Sequence, residues 1–296
     1  MKEKIKQLAR EKNAIILVHN YQPPEIQDIA DLCGDSLELS IKAAKTDADI
    51  IVFCGVHFMA ETASILSPEK TVLLPNQDAG CPMADMITPA SLKAKRESLP
   101  PMPVVTYVNS SAAVKALSTV CCTSANVVKV VNSLDAEQVL MTPDRNLARY
   151  AAANTTKTVH FWDGCCPFHD NLRASDIEAA KQAHPDAIVM AHPECRTEVL
   201  EMANVVVSTS GMLQHTRSSD HHSFIVGTEI GLLYPLQKAN PDKQFYPAST
   251  NLMCPDMKKI TLADVAESLE NMSGQVKVPE EIRIPALAAV QAMIAI

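Results

Sequence analysis

Three cysteines in the chain are each followed by proline: Cys81-Pro82, Cys166-Pro167 and Cys254-Pro255. They stand 85 and 88 residues apart, and among 9 Cys they make the only Cys-Pro steps. A near-constant interval of that size points to one cysteine per copy of a repeated unit. Three converging thiolates can hold a metal and leave one coordination position open, which is what separates a catalytic metal site from a structural one. Structural zinc takes four ligands in paired spacings, a pattern that three lone cysteines do not fit. An iron–sulfur cluster fits better, because thiolates are its usual ligands. With three protein ligands, one iron stays free to act as a Lewis acid on a substrate oxygen or nitrogen. Cys165 competes with its neighbour Cys166, but repeat register and the following proline favour Cys166. Cys33, Cys54, Cys121, Cys122 and Cys195 read as small buried hydrophobes.

A second set of residues could supply acid, base and anion contacts. His19-Asn20-Tyr21, Tyr107-Val108-Asn109 and His192-Pro193-Glu194 each follow a short apolar run. Glu194 is a candidate general base, and His192 could bind a substrate carboxylate. Tyr21 could serve as an acid or base if its environment shifted its pKa from the usual value near 10. Alternation along a strand places Tyr107 and Asn109 on one side. Three hydroxyl turns recur as well: Gly34-Asp35-Ser36, Thr123-Ser124 and Ser208-Thr209-Ser210. Ser36, Ser124 and Thr209 are expected as helix N-caps, a position Ser and Thr favour for backbone reasons. A hydroxyl at a helix N-terminus is a ready phosphate or carboxylate site.

The elements that must position these residues repeat with a period of about 86 residues. Ala14–Val18, Val104–Val108 and Ala187–Ala191 read as buried parallel strands. Second strands are expected at 50–54, 139–142 and 224–226, and third strands at 71–74, 158–161 and 244–246. Each third strand leads to its Cys-Pro. Helices are expected at 2–12, 91–98, 175–183 and 261–271, so the first and last helices look like one element permuted around a ring. Strand alternating with helix gives βαβ units. The expected fold is α/β: three homologous small α/β/α domains with parallel sheets around a pseudo-threefold axis. The expected limits are 1–95, 96–178 and 179–296, with the last helices packing back near the first unit. Ligands bind beyond the carboxyl ends of strands in such sheets, so three inward sets of ends predict one central active-site cavity.

Composition narrows the function. The net charge is −8, and Lys and Arg do not cluster, which argues against a nucleic-acid surface. No run of about 18 uncharged apolar residues appears, which argues against a membrane span. The charged segment Met1 to Arg10 does not read as a signal peptide, and the grouped cysteines do not read as a disulfide framework. The expectation is a cytoplasmic protein. Neither G-x-x-x-x-G-K-[ST], G-x-G-x-x-G nor G-x-S-x-G occurs. From the residues alone, three classes stay open: an open-iron hydro-lyase for a small hydroxy acid, an iron–sulfur sensor or electron carrier, and a three-cysteine zinc protein.

Particular stretches resemble the quinolinate synthase family. They are His19-Asn-Tyr-Gln, Gln27-Asp-Ile-Ala-Asp, Gly34-Asp-Ser, Gly55-Val-His-Phe-Met-Ala-Glu61, Cys81-Pro-Met-Ala, Tyr107-Val-Asn109, Cys122-Thr-Ser-Ala-Asn126, Pro143-Asp-Arg-Asn-Leu147, His192-Pro-Glu-Cys195 and Gly227-Thr-Glu-Ile-Gly231. The resemblance implies an enzyme of NAD biosynthesis that condenses iminosuccinate with dihydroxyacetone phosphate to give quinolinate, phosphate and water. It implies a [4Fe-4S] cluster on Cys81, Cys166 and Cys254. It implies substrate contacts at His19, Ser36, Tyr107, Asn109, Ser124, His192, Glu194 and Thr209. Tyr21, Glu194, His192 and His19 are the expected proton-transfer residues. Iminosuccinate is unstable, which makes handover from an aspartate-oxidising enzyme a candidate partnership. Loops 21–24 and 80–88 are candidate gates. Some family members carry an additional cysteine near the last ligand; here Asn251-Leu-Met-Cys254 holds only one.

Overall fold

The computed structural model describes residues 1–296. Twelve strands form three four-stranded sheets, and every pairing is parallel. The first sheet holds β1 (Ala14–His19), β2 (Leu32–Gly34), β3 (Ile50–Cys54) and β4 (Thr71–Leu73), in the order β2-β1-β3-β4. The second holds β5 (Val104–Tyr107), β6 (Val120–Cys122), β7 (Gln138–Thr142) and β8 (Thr158–Phe161), in the order β6-β5-β7-β8. The third holds β9 (Ile188–Ala191), β10 (Val205–Val206), β11 (Ser223–Gly227) and β12 (Gln244–Pro247), in the order β10-β9-β11-β12. One topology thus occurs three times, giving the three small α/β/α units around a pseudo-threefold axis that the period predicts. The central strand β3 is buried along its whole length, as a parallel strand covered on both faces must be.

The nine expected strands are present. The other three, β2, β6 and β10, are two or three residues long, too short to carry a periodic signal. Each nevertheless feeds one hydroxyl turn. The expected borders at 95/96 and 178/179 run through the helices Pro89–Glu97 and Ala174–Ala183. The first of these starts at Thr88, whose hydroxyl and the Ser91 hydroxyl cap each other's backbone, with Pro89 at the first helical position. Its Leu92 packs with Val104, Val114 and Leu140 of the second unit. Ile177 of the other helix packs with Val189 and Ile225 of the third.

The helix Leu262–Asn271 lies on the helix Lys2–Glu11. The final helix, Glu280–Ile294, packs against β6 and the helices Ala112–Lys115 and His57–Leu66. The largest core joins 59 buried residues drawn from all three sheets, Leu17, Val105 and Val226 among them, so the units share their hydrophobic interior. No helix is long and apolar enough to cross a membrane.

Candidate active site

The carboxyl ends of β1, β5 and β9 meet at the centre of the molecule. His19, Tyr21, Ser36, Tyr107, Asn109, Ser124, His192, Glu194 and Thr209 line one cavity. An adjoining cavity is lined by Cys81, Cys166 and Cys254. Tyr21, Phe58, Asn109, Glu194 and Met257 belong to both walls. Every residue singled out for substrate, proton transfer or metal therefore faces this pair of cavities: thiols at one end, hydroxyls and imidazoles at the other.

The hydroxyl turns are built differently from expectation. Ser36, Ser124 and Thr209 are not the N-caps. Asp35 caps the helix Ser36–Lys45, accepting from Leu37 and Glu38 N–H at 3.0 Å each. Ser208 caps the helix Thr209–Ser218, accepting from Gly211 N–H at 3.2 Å. The helix Val127–Ser133 starts after Asn126, which accepts from Thr123 N–H at 2.8 Å. The preceding or following polar residue takes the turn's backbone bonds, so the expected hydroxyls are released towards the cavity. Ser124 Oγ meets His192 Nε2 at 3.1 Å, and Thr209 Oγ1 accepts from Asn20 Nδ2 at 3.1 Å.

Glu194 is the electrostatic centre. It is 3% exposed. One carboxylate oxygen lies 2.7 Å from His169 Nδ1 and 3.4 Å from His192 Nδ1. Burial alone raises its pKa, but the two histidines outweigh burial and hold it well below the usual carboxylate range. Its other oxygen has no protein partner, which leaves an acceptor for a ligand. Burial pushes His19 down to about 3 and also lowers His192, so both imidazoles are neutral near pH 7. Burial and the Glu194 charge lift the phenols of Tyr21 and Tyr107 well above their ordinary value. Tyr21 is therefore protonated and able to donate. Its hydroxyl lies 2.5 Å from Thr228 Oγ1, which lies 2.8 Å from His169 Nε2.

His169 and Thr228 were not among the expected site residues. His169 stands three residues past Cys166, one turn along the short helix Pro167–Asn171; that spacing was the available signal. Thr228 lies inside the Gly227-Thr-Glu-Ile-Gly231 stretch, where nothing local points to Tyr21, more than 200 positions away.

The thiols can be tested against a metal. Burial raises all three: Cys81 to about 12, Cys166 well above its ordinary value, and Cys254 upward as well. Ionised Cys254 further opposes Cys81, and ionised Cys81 opposes Cys166, so the sulfurs share one field. A cation among them reverses that balance and favours the thiolates. Three soft donors facing one largely apolar space fit iron or an iron–sulfur group better than a hard cation. Cys166, His169 and Glu194 offer a second donor group, with ligand atoms within 4.8 Å of one another.

Comparison with known proteins agrees with this geometry. The family model for quinolinate synthetase A protein matches residues 3–295. The quinolinate synthase of Geotalea uraniireducens (strain Rf4) is 57% identical over 296 residues, covering 100% of this chain and 97% of that protein. That of Thermodesulfovibrio yellowstonii is 52% identical, covering 99% and 97%. Quinolinate synthase 1 of Methanosarcina acetivorans is 52% identical with the same coverage. An α/β enzyme fold built three times, with one polar and thiol-lined centre, thus carries a full-length sequence match: the chain belongs to the quinolinate synthetase A protein family.

Proposed function

We propose that the protein condenses iminosuccinate with dihydroxyacetone phosphate to quinolinate, phosphate and water, in the reducing cytoplasm. The observation that carries this reading is the convergence of nine polar residues from three units on one cavity that opens onto three thiols. Cys81, Cys166 and Cys254 would hold a [4Fe-4S] cluster, which supplies Lewis-acid chemistry for loss of water.

The remaining work falls to side chains. Ser36 and Thr209, at helix starts, and Ser124, in the turn before one, would hold the phosphate and the two carboxylates. Neutral His19 and His192 can donate hydrogen bonds to those anions without bringing a buried charge. Tyr107 and Asn109 orient the bound acid from the end of β5. Ionised Glu194 is the base of the site and takes a proton during enolisation. Tyr21 holds the proton that a leaving oxygen needs. Iminosuccinate is unstable, so direct handover from an aspartate-oxidising enzyme belongs to the same reading. So does the division into three domains, with its joints moved to about 87/88 and 172/173, where helices start rather than run.

The test is product analysis with anaerobically prepared protein given both substrates. Mass-identified quinolinate, dependent on iron content, is the expected result. Iron-loaded protein that makes no quinolinate, or instead dehydrates a small hydroxy acid, overturns it.

A further inference from the structure

Two buried carboxylates beside the cysteines have no part in the reaction above. Asp144 stands two residues past the end of β7 and Glu229 two residues past β11; each is 1% exposed. Asp144 accepts from Leu147 N–H at 2.7 Å with one oxygen, capping the helix Arg145–Ala153, and from Cys166 N–H at 2.9 Å with the other. Glu229 accepts from Gly231 N–H at 2.7 Å and, with its other oxygen, from Cys254 N–H at 3.1 Å. One backbone arrangement therefore occurs twice, an oxygen on the start of a helical turn and the other on the backbone of a cysteine; Glu229 alone also pairs with Lys258 Nζ, at 2.9 Å.

The surrounding frame occurs three times. Arg145 N–H donates to Gly164 O, Ile230 N–H to Leu252 O and His57 N–H to Ala79 O, each at 2.8 Å. The acceptors all stand two residues before a Cys-Pro cysteine. In the first unit, however, the position two residues past β3 is Val56, and the Cys81 amide meets no carboxylate. Capping accounts for one oxygen of each carboxylate, and Glu is not among the preferred caps. Negative charge beside a thiolate is repulsive, so these groups do not activate the sulfur by charge. What they supply is a hydrogen-bond anchor on the cysteine backbone, at 2.9 Å to Cys166 N–H and 3.1 Å to Cys254 N–H.

We propose that Asp144 and Glu229 are positioning residues for the metal-holding thiols, each tying its cysteine to a strand end while the Cys81 loop, backed by Val56, is left to adjust. The proposal rests on Cys81, Cys166 and Cys254 being the ligand set. Groups that fix metal ligands from behind are worth about 10–100-fold in metal affinity.

The experiment uses the anaerobic, iron-loaded protein with Asp144→Ser and Glu229→Gln. Serine keeps the favoured cap but is too short to reach the Cys166 amide as well. The amide introduced by Glu229→Gln has one acceptor oxygen for two N–H donors; the change also removes the charge paired with Lys258 at 2.9 Å, a loss that the metal-free melting temperature reads separately. Iron and sulfide per chain, the rate of iron loss to a chelator, and the melting temperature of the metal-free protein are measured. Iron loss faster by about 10–100-fold, with metal-free melting close to the parent, is expected. Parent-like iron loss in both variants overturns the inference alone. A fall in metal-free melting that accounts for the iron lost assigns the carboxylates to fold stability and also overturns it. A parent that binds no iron removes the ligand set itself, and the proposed function with it.

Discussion

The first unit and the other two share strand order, parallel pairing and the backbone frame that holds the cysteine loop, yet they treat the cysteine differently. Cys166 and Cys254 are bound through their amides to Asp144 and Glu229; Cys81 is not bound in this way, because Val56 occupies the equivalent place. A repeated fold therefore fixes where the cysteine sits, while side chains decide what its backbone is tied to. The loop that carries Cys81, residues 80–88, is also a candidate gate, and a loop without such a tie is where movement costs least.

The harshest way to break this comparison is to remove the sulfurs one at a time. Cys81→Ser, Cys166→Ser and Cys254→Ser are each expected to lose iron retention and quinolinate formation together, to the detection limit. Iron analysis and turnover under anaerobic conditions check it; a Cys81→Ser protein with a full iron complement and full turnover would show that the site needs only two units.

Next in size is Glu194→Gln, which removes the buried charge facing His169 and His192. A general acid–base group contributes about 10²–10⁴-fold, so kcat should fall on that scale while iron content stays at the parent level. Loss of iron in step with activity would instead make Glu194 a metal ligand alongside Cys166 and His169.

Val56→Asp sharpens the comparison by writing the second unit's residue into the first. It also offers a cap to the helix His57–Leu66, which has no side-chain cap, worth about 1 kcal/mol. Iron release to a chelator should slow by a few-fold. Faster release would mean that a carboxylate at this position does not steady the Cys81 loop.

A last test, read in stability and not in iron or turnover, lies at the strand ends, where the first unit uses His19 and the second Asn109. Folded His19 titrates at about 3 and an unfolded histidine near 6.5. Between those values the unfolded chain carries the additional proton, so stability is fully present above 6.5 and falls as pH drops toward 3. At pH 5 the loss from this one group is about 2 kcal/mol. His19→Asn should flatten the acid side of the melting-temperature profile of the metal-free protein. A profile parallel to the parent's from pH 7 to pH 5 would show that His19 is not held neutral by burial.

Much of the site was legible because it sits at places local patterns mark. Buried strands in the sequence end at His19, Asn109 and His192, and a strand's end can be read from where its apolar run stops. The Cys-Pro steps were legible through their interval alone. Ser36, Ser124 and Thr209 line the cavity but do not do the expected backbone job, since Asp35 and Ser208 do the capping in two of the turns. Propensity cannot choose between adjacent polar residues that are all good caps; which one turns inward depends on how its unit is set against the other two.

The sequence by itself determined the α/β repeat, the three thiols and the polar strand ends, because each is written in periodicity or interval within one unit. The tertiary structure alone decided that Tyr21, Thr228, His169 and Glu194 form one contact chain, and that Asp144 and Glu229 reach the cysteine amides. The contact chain joins residues from different units, and the carboxylate ties bridge separate loops within one unit. Such contacts follow from the packing of three sheets around an axis and the path of their loops, which no local run of residues encodes.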